Sequence, residues 1–242
     1  MQKRKNDYRK SARPADYAKT GRKVGHSKVD PNKVDQDWLL IANSTPLSKS
    51  KLLKLATNRH IMVLDGAYEH ITYLNVQIDV LLGDFDSIPP ELMEEAHKAV
   101  EKVIRAPDQN QTDLEKGIHY LDKLGAKNIV ICAATGKRLQ HTIYNLRMMK
   151  KFYREDRALR IVSEHETILY VQNAQIEITG KMGDSIGVLG FPQAKITSSG
   201  LKYEMKNYSL EFELHASVCN ELVKEHASIA VDGAALVIQE HG

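Results

Sequence analysis

From Trp38 onward, short apolar runs alternate with longer stretches of helical spacing. Residues 38–42, 60–65, 78–83, 102–105, 128–133 and 158–162 have the length and branched content of buried strands. Between them, Leu47, Leu52, Leu53 and Leu55 recur at helical spacing over 46–57. Pro89 and Pro90 open a helix through Ala99, because proline is tolerated in a first turn. Thr112 caps a helix over 112–124, with Glu115 in capping-box position and Gly125 as the residue just past its end. A further helix covers 139–153. Strands that are apolar at successive positions and alternate with helices predict a mostly parallel sheet covered on both faces. After about Glu164 the helical spacing stops. Seven short strands are predicted at 168–171, 175–178, 185–189, 195–197, 210–214, 228–231 and 235–238, punctuated by Gly180, Gly183, Gly190, Pro192, Gly200 and Gly233. This pattern predicts a small antiparallel β-sandwich. The expected fold is therefore α/β, with a mostly parallel α/β domain at 36–164 and a β-sandwich domain at 165–242.

Residues 1–35 break the pattern. They hold few apolar residues and the breakers Pro14, Gly21, Gly25 and Pro31, and are expected to be mostly disordered. They carry 11 Lys and Arg against 4 Asp, a net of +7, so within the chain's total of +3 the remainder carries −4. Such a tail serves solubility, or loose contact with nucleic acid, membrane phosphates or an acidic partner. Asp7 and Asp16 argue against a mitochondrial transit peptide. The 242 residues are 42% hydrophobic and 27% charged, which excludes collagen-like and low-complexity classes. No run of about 18 uncharged apolar residues is present, so no membrane span is expected. Only Cys132 and Cys219 occur, both in apolar surroundings, so a disulfide framework is not expected and a cytoplasmic location is.

In an open α/β sheet, ligands bind beyond the carboxyl ends of the strands. Strand 78–83 runs into Asp84, Asp86 and Ser87; Asp65 and Gly66 end another strand. The loop Asp108-Gln109-Asn110-Gln111-Thr112-Asp113 leads into a helix. Carboxylates gathered from separate strand ends repel one another unless a cation neutralises them. Mg²⁺ suits such a set, since it binds one or two carboxylates together with substrate phosphates. A third loop, Ala134 to Arg138, precedes the helix that carries His141 and Asn145. Gly136 lets backbone N–H groups approach an anion, and Lys137 and Arg138 add positive charge. The spacing of a Walker loop is absent. His141, one turn into a helix, is more often a packing or capping histidine than a base, and Cys132 is expected to be an inert core thiol.

Gly83-Asp-Phe-Asp-Ser-Ile88, Asp108-Gln-Asn-Gln-Thr-Asp-Leu-Glu-Lys116, Ala134-Thr-Gly-Lys-Arg-Leu-Gln-His-Thr142 with Asn145, Ser199-Gly-Leu-Lys-Tyr203 and Ser217-Val-Cys-Asn220 stand in one order along the chain. In that order and separation they resemble the thiamine pyrophosphokinase family, over roughly 37–242. The resemblance implies an ATP-binding α/β domain, a thiamine-binding β-sandwich, and a homodimer with thiamine bound between subunits. It implies transfer of the pyrophosphoryl group of ATP to thiamine, releasing AMP. Asp84, Asp86 and Asp113 would hold Mg²⁺, and Arg138 would meet phosphate. Asp65, Gly66, Ser87, Asp108, Gln109, Thr112, Gly136, His141 and Asn145 would shape the ATP site. Tyr203, Ser217 and Asn220 would form the thiamine pocket, with Tyr203 facing the cationic thiazolium ring. Asn110 and Gln140 depart from the family's usual acids, and Cys219 from its serine. Two lost carboxylates in the expected metal and substrate shell also imply two alternatives, a weakened or non-catalytic homologue and an enzyme acting on another heterocyclic alcohol such as a pterin.

Overall fold

A computed structural model of the chain describes residues 37–86 and 88–241. The readings for the basic tail and for Ser87 lie outside these residues. Six parallel strands come first: β1 (Asp37–Ile41), β2 (His60–Leu64), β3 (Ile78–Gly83), β4 (Val100–Arg105), β5 (Asn128–Cys132) and β6 (Ala158–Val162). In space they run β4-β3-β2-β1-β5-β6. Neighbours are locked in register, for example Leu40 with Met62 and Ile41 with Cys132.

The strands read as apolar at successive positions because both faces are covered. On one face, Leu40, Met62, Leu82, Ile129 and Ile131 pack under Leu114, Ile118 and Leu121 of α4 (Asp113–Lys123) and Met148 and Met149 of α5 (Leu139–Lys151). On the other, Leu39, Val63, Leu81 and Val130 meet Leu52 of α1 (Lys49–Ala56), Tyr68 of α2 (Asp65–Tyr68) and Ala96 of α3 (Pro90–Ala99). Cys132 is fully enclosed, and burial pushes its thiol up to about 12, which fits an inert core thiol.

The antiparallel half is β7 (Glu166–Thr179), β8 (Ser185–Ser199), β9 (Tyr208–Glu211), β10 (Ala216–Glu221) and β11 (His226–Glu240). Three of the expected pairs of short strands are thus single long ones. Gly180, Gly183 and Gly200 do lie outside the strands, but the breaks expected inside β7 and β11 are bulges. Asn173, at φ 46°, accepts from the Gly233 N–H at 2.8 Å, and the β7–β11 register shifts between Val231 and Ala234. The β8–β11 register shifts at the neighbouring Gly233 and Ala235. Bulges bend a strand without ending it, so the long strands turn along one line and close a small sandwich.

Strand β7 joins the parallel sheet by pairing antiparallel with β6, Ile161 opposite Ile168. The alternate faces of β7 and β11 serve different cores. Ile168, Tyr170 and Leu236 close the α/β core, while Val171, Ala235 and Val237 close a second core with Ile186, Val188, Ile196 and Ile229. The two halves therefore share one wall instead of meeting through a linker.

Candidate active site

The chain order of the parallel strands reverses between β1 and β5, which is where doubly wound sheets bind ligands. The loops leaving those two strands are tied together: Ser44 N–H donates to Ala133 O at 2.7 Å, and Ser44 Oγ to Gly136 O at 3.0 Å. Gly136 has φ +85° and lies against Thr45, where a Cβ would come within 2.1 Å of Thr45 Oγ1, so only glycine fits this crossing. Asn145, buried in α5, donates to Ala134 O at 2.7 Å and fixes the same loop from below.

A cavity of about 590 Å³ opens at this edge. Asp65, Gly66, Asp84, Gln109, Thr112, Asp113, Arg138, His141 and Asn145 line it, together with Lys137. Asn43, Ser44, Gln111 and Lys116 line it as well and were not singled out in the sequence. Asp86 and Asp108 are not in the lining. The Asp86 N–H donates to Asp84 Oδ1 at 3.2 Å, and Asp108 Oδ1 accepts from the backbone and side chain of Asn110 at 2.9 and 3.0 Å. Both therefore shape the loops behind the lining carboxylates. Asn110 and Gln140 are exposed and outside the lining, so neither amide removes charge from the cavity wall.

The acidic wall is built around Asp65, only 4% exposed. Its Oδ1 accepts from Gly66 N–H at 2.6 Å and its Oδ2 from Phe85 N–H at 3.0 Å. Gly83 makes room for it: a Cβ there would sit 2.3 Å from Asp65 Cγ. Burial raises the Asp65 carboxyl above its ordinary range, and the charges of Asp113 and Asp84 add to the rise against those two donors. Burial pushes Asp84 the same way, but the Asp86 N–H, the Gln109 amide at 3.2 Å, the Asp65 carboxyl and the Lys116 charge outweigh it and hold Asp84 low. Asp113 opens α4, where Thr112 Oγ1 accepts from Glu115 N–H at 3.3 Å. The reciprocal half of the expected capping box is replaced: the buried Glu115 carboxylate takes Tyr144 Oη at 2.5 Å and Lys151 Nζ, joining α4 to α5.

The same cavity is lined by Lys137, Arg138 and His141, all exposed. Lys137 Nζ lies 3.4 Å from Asn43 Oδ1. Among the described residues, no three His, Cys, Asp or Glu side chains are gathered closely enough to enclose a metal ion unaided. The donor set nevertheless suits Mg²⁺, which takes hard oxygens and usually completes its shell with substrate phosphates and water.

Tyr203, Ser217 and Asn220 lie together, away from the cavity lining. Asn220, 2% exposed, accepts from the N–H groups of Tyr203 and Glu221 at 3.0 Å each, and donates to Tyr203 O at 2.8 Å and Ser217 Oγ at 3.5 Å. It acts as a bracket that holds Tyr203, 62% exposed, on the surface. Cys219 is exposed rather than enclosed, because β10 ends the sheet and turns that position outward.

Comparison with known proteins decides the family. The model of the thiamin pyrophosphokinase catalytic domain matches residues 52–162, and that of its vitamin B1 binding domain matches 170–236. The chain belongs to the thiamine pyrophosphokinase family. A thiamin pyrophosphokinase of Caenorhabditis elegans is 28% identical over 204 residues, covering 76% of this chain and 80% of its own. One from Arabidopsis thaliana is 28% identical over 187 residues, covering 67% and 69%. Among solved structures, the thiamine pyrophosphokinase of Bacillus subtilis gives a TM-score of 0.75 at 19% identity, over 85% of this chain and 99% of that one. That of Candida albicans gives 0.75 at 19% identity, over 85% and 90%. At that identity the structural likeness speaks for the fold, an α/β domain followed by a β-sandwich.

Proposed function

We propose that this thiamine pyrophosphokinase family member transfers the pyrophosphoryl group of ATP to thiamine, giving thiamine diphosphate and AMP, in a Mg²⁺-dependent reaction. One observation carries the proposal. Asp65, Asp84 and Asp113 from three separate stretches of chain line one cavity together with Lys137 and Arg138. Pyrophosphoryl transfer needs alignment and charge neutralisation more than a covalent nucleophile. The thiamine hydroxyl oxygen forms the new bond to the β-phosphorus and gives up its proton. The bond from that phosphorus to the α,β-bridging oxygen breaks, and AMP leaves with the electron pair.

Asp84 and Asp113 would hold Mg²⁺, which supplies charge neutralisation on the triphosphate. Asp86, expected among the metal-holding acids, stands outside the lining and instead orients Asp84 through its backbone N–H. Arg138 and Lys137 meet phosphate oxygens, while Gly136 and Asn145 keep the loop beneath them open. Gln109 and Thr112 fix the acidic loop. Residues 36–164 form the nucleotide domain and 165–242 the thiamine domain.

Tyr203 offers an aromatic face to the thiazolium, on the platform that Asn220 and Ser217 support. Tyr203, Phe212, Leu214 and Val218 are exposed apolar side chains around the sheet's β9–β10 end. They support a homodimer in which one subunit's platform completes the other's cavity. Both cysteines are free thiols, which supports a cytoplasmic location. No described helix is long and apolar enough to cross a membrane. Asn110 and Gln140, the residues that raised the alternative of a weakened homologue, stand outside the cavity lining, so this reading has no support from the cavity.

The test incubates purified protein with ATP, Mg²⁺ and either thiamine or a pterin alcohol. AMP and thiamine diphosphate are expected in equal amounts with thiamine only. ADP formation, or AMP release with the pterin alone, overturns the proposal.

A further inference from the structure

Lys116 is the one cavity-lining cation that is buried. Its side chain is 3% exposed, and its Nζ lies 3.0 Å from Asp113 Oδ1. It sits in the first turn of α4, at the positive end of the helix dipole, where a cation gains nothing from the helix. Burial of an ammonium is also costly unless opposite charge faces it. What faces Lys116 is the acidic wall: Asp113 by direct contact and Asp84 through space. Lys137 and Arg138, by contrast, are exposed, and solvent screens them.

A tethered monovalent cation inside an acidic cavity treats two entering species in opposite ways. A bare divalent ion carries +2, must compete with the ammonium for Asp113, and is repelled by it. A divalent ion that arrives on a nucleotide triphosphate belongs to a complex of net charge −2, which the same ammonium attracts. We propose that Lys116 is a positioning and selectivity residue: it holds Asp113 in place and makes the cavity favour the metal–triphosphate complex over the metal alone. Lys116 thereby acts against loading of the acids by free divalent ions ahead of the nucleotide. This inference rests on the metal–nucleotide reading of the cavity.

The test uses Lys116→Met, an unbranched replacement that fills the same buried space, and Lys116→Arg, which keeps the charge. Binding is measured by calorimetry with Mn²⁺ alone and with the Mn²⁺ complex of a non-hydrolysable ATP analogue; thermal melts confirm that each variant is folded. Lys116→Met is expected to bind Mn²⁺ about ten-fold more tightly and the nucleotide complex about ten-fold more weakly, an order of magnitude for one partly screened unit charge at short range. Lys116→Arg should stay within about two-fold of the parent for both probes, since the charge remains. A role confined to packing or to steadying Asp113 would weaken both probes together or change neither, and either result overturns the proposal. Asp84→Asn is the control and should weaken both. If the parent binds neither probe, the metal–nucleotide reading falls and takes this inference with it.

Discussion

In the cavity, charged side chains leave the ends of parallel strands and are held by donors in the loops and first helical turn around them: Gly66 and Phe85 for Asp65, Asp86 for Asp84, Lys116 for Asp113. On the β10 edge, one uncharged side chain, Asn220, holds an exposed aromatic through bonds to backbone 17 residues away. The first region places mutually repelling charges side by side and gives up stability to do so. The second spends its hydrogen bonds on shape, and its exposed apolar groups await a partner. Chemistry and recognition are thus separated, and substitutions in the two regions are expected to fail in different ways.

The largest effect is expected at the acids. Asp84→Asn and Asp113→Asn keep the side-chain volume and remove one charge from a crowded wall. Each should lower kcat/KM by about a thousand-fold, the scale of losing a group that stabilises transition-state charge. Tm should hold within about 2 °C or rise for Asp84→Asn, because repulsion with Asp65 is relieved, whereas Asp113→Asn takes the counter-charge from the buried Lys116 and should melt several degrees lower. Steady-state kinetics beside a thermal melt checks both. An Asp84→Asn variant that loses several degrees along with its activity would make the acid wall a stabilising feature and erase the contrast with the platform.

Asn220→Ala should show the reverse pattern. It leaves the Tyr203 N–H and C=O and the Glu221 N–H without their partner, at a cost of about 2–3 kcal/mol. Tyr203 then loses its fixed position, so KM for thiamine should rise about ten-fold while KM for ATP stays within about two-fold. Denaturant melts and separate substrate titrations measure the two. A rise in KM for ATP of similar size would mean that the platform and the cavity are not separate.

The same division explains what the sequence disclosed. Asp84, Thr112 and Asp113 were legible because strand ends, caps and acidic turns are local signals, read within a few residues. Lys116 was not singled out: an i,i+3 Asp–Lys pair on a helix usually faces water, and only the packing of α4 on β2 and β3 buries it. Asn43 and Ser44 read as an ordinary loop, and their role comes from β1 lying beside β5, a long-range pairing. The long strands β7, β8 and β11 were read as short ones because a bulge and a turn use the same residues, Asn173 and Gly233 among them. Only the partner strand decides between them. Asn220 was legible only through family resemblance, since its bracket joins backbone groups that no local pattern brings together.

The smallest effect is expected outside both regions, at the seam between the α/β half and the antiparallel half. His241, just past the end of β11, places Nε2 2.9 Å from Thr167 Oγ1 on β7, and its N–H donates to His165 O at 2.6 Å. Lys51 of α1, whose Nζ donates to Glu164 O at 2.6 Å, reaches the same place from the α/β side. Burial lowers the imidazole below its ordinary 6.5, and the Lys51 charge pushes it further down against a weaker pull from Asp184. The folded protein thus takes up this proton less readily than the unfolded chain. Stability from this group is complete above pH 6.5 and is lost as pH falls through the lower folded value. His241→Gln removes the titration, so the difference in Tm between parent and variant should drift by no more than about 2 °C between pH 8 and pH 5, with the parent losing more. Parallel melts across that range follow it. A drift of opposite sign would mean that His241 is protonated in the fold, and that the seam carries an ionic contact in place of the neutral Thr167 bond.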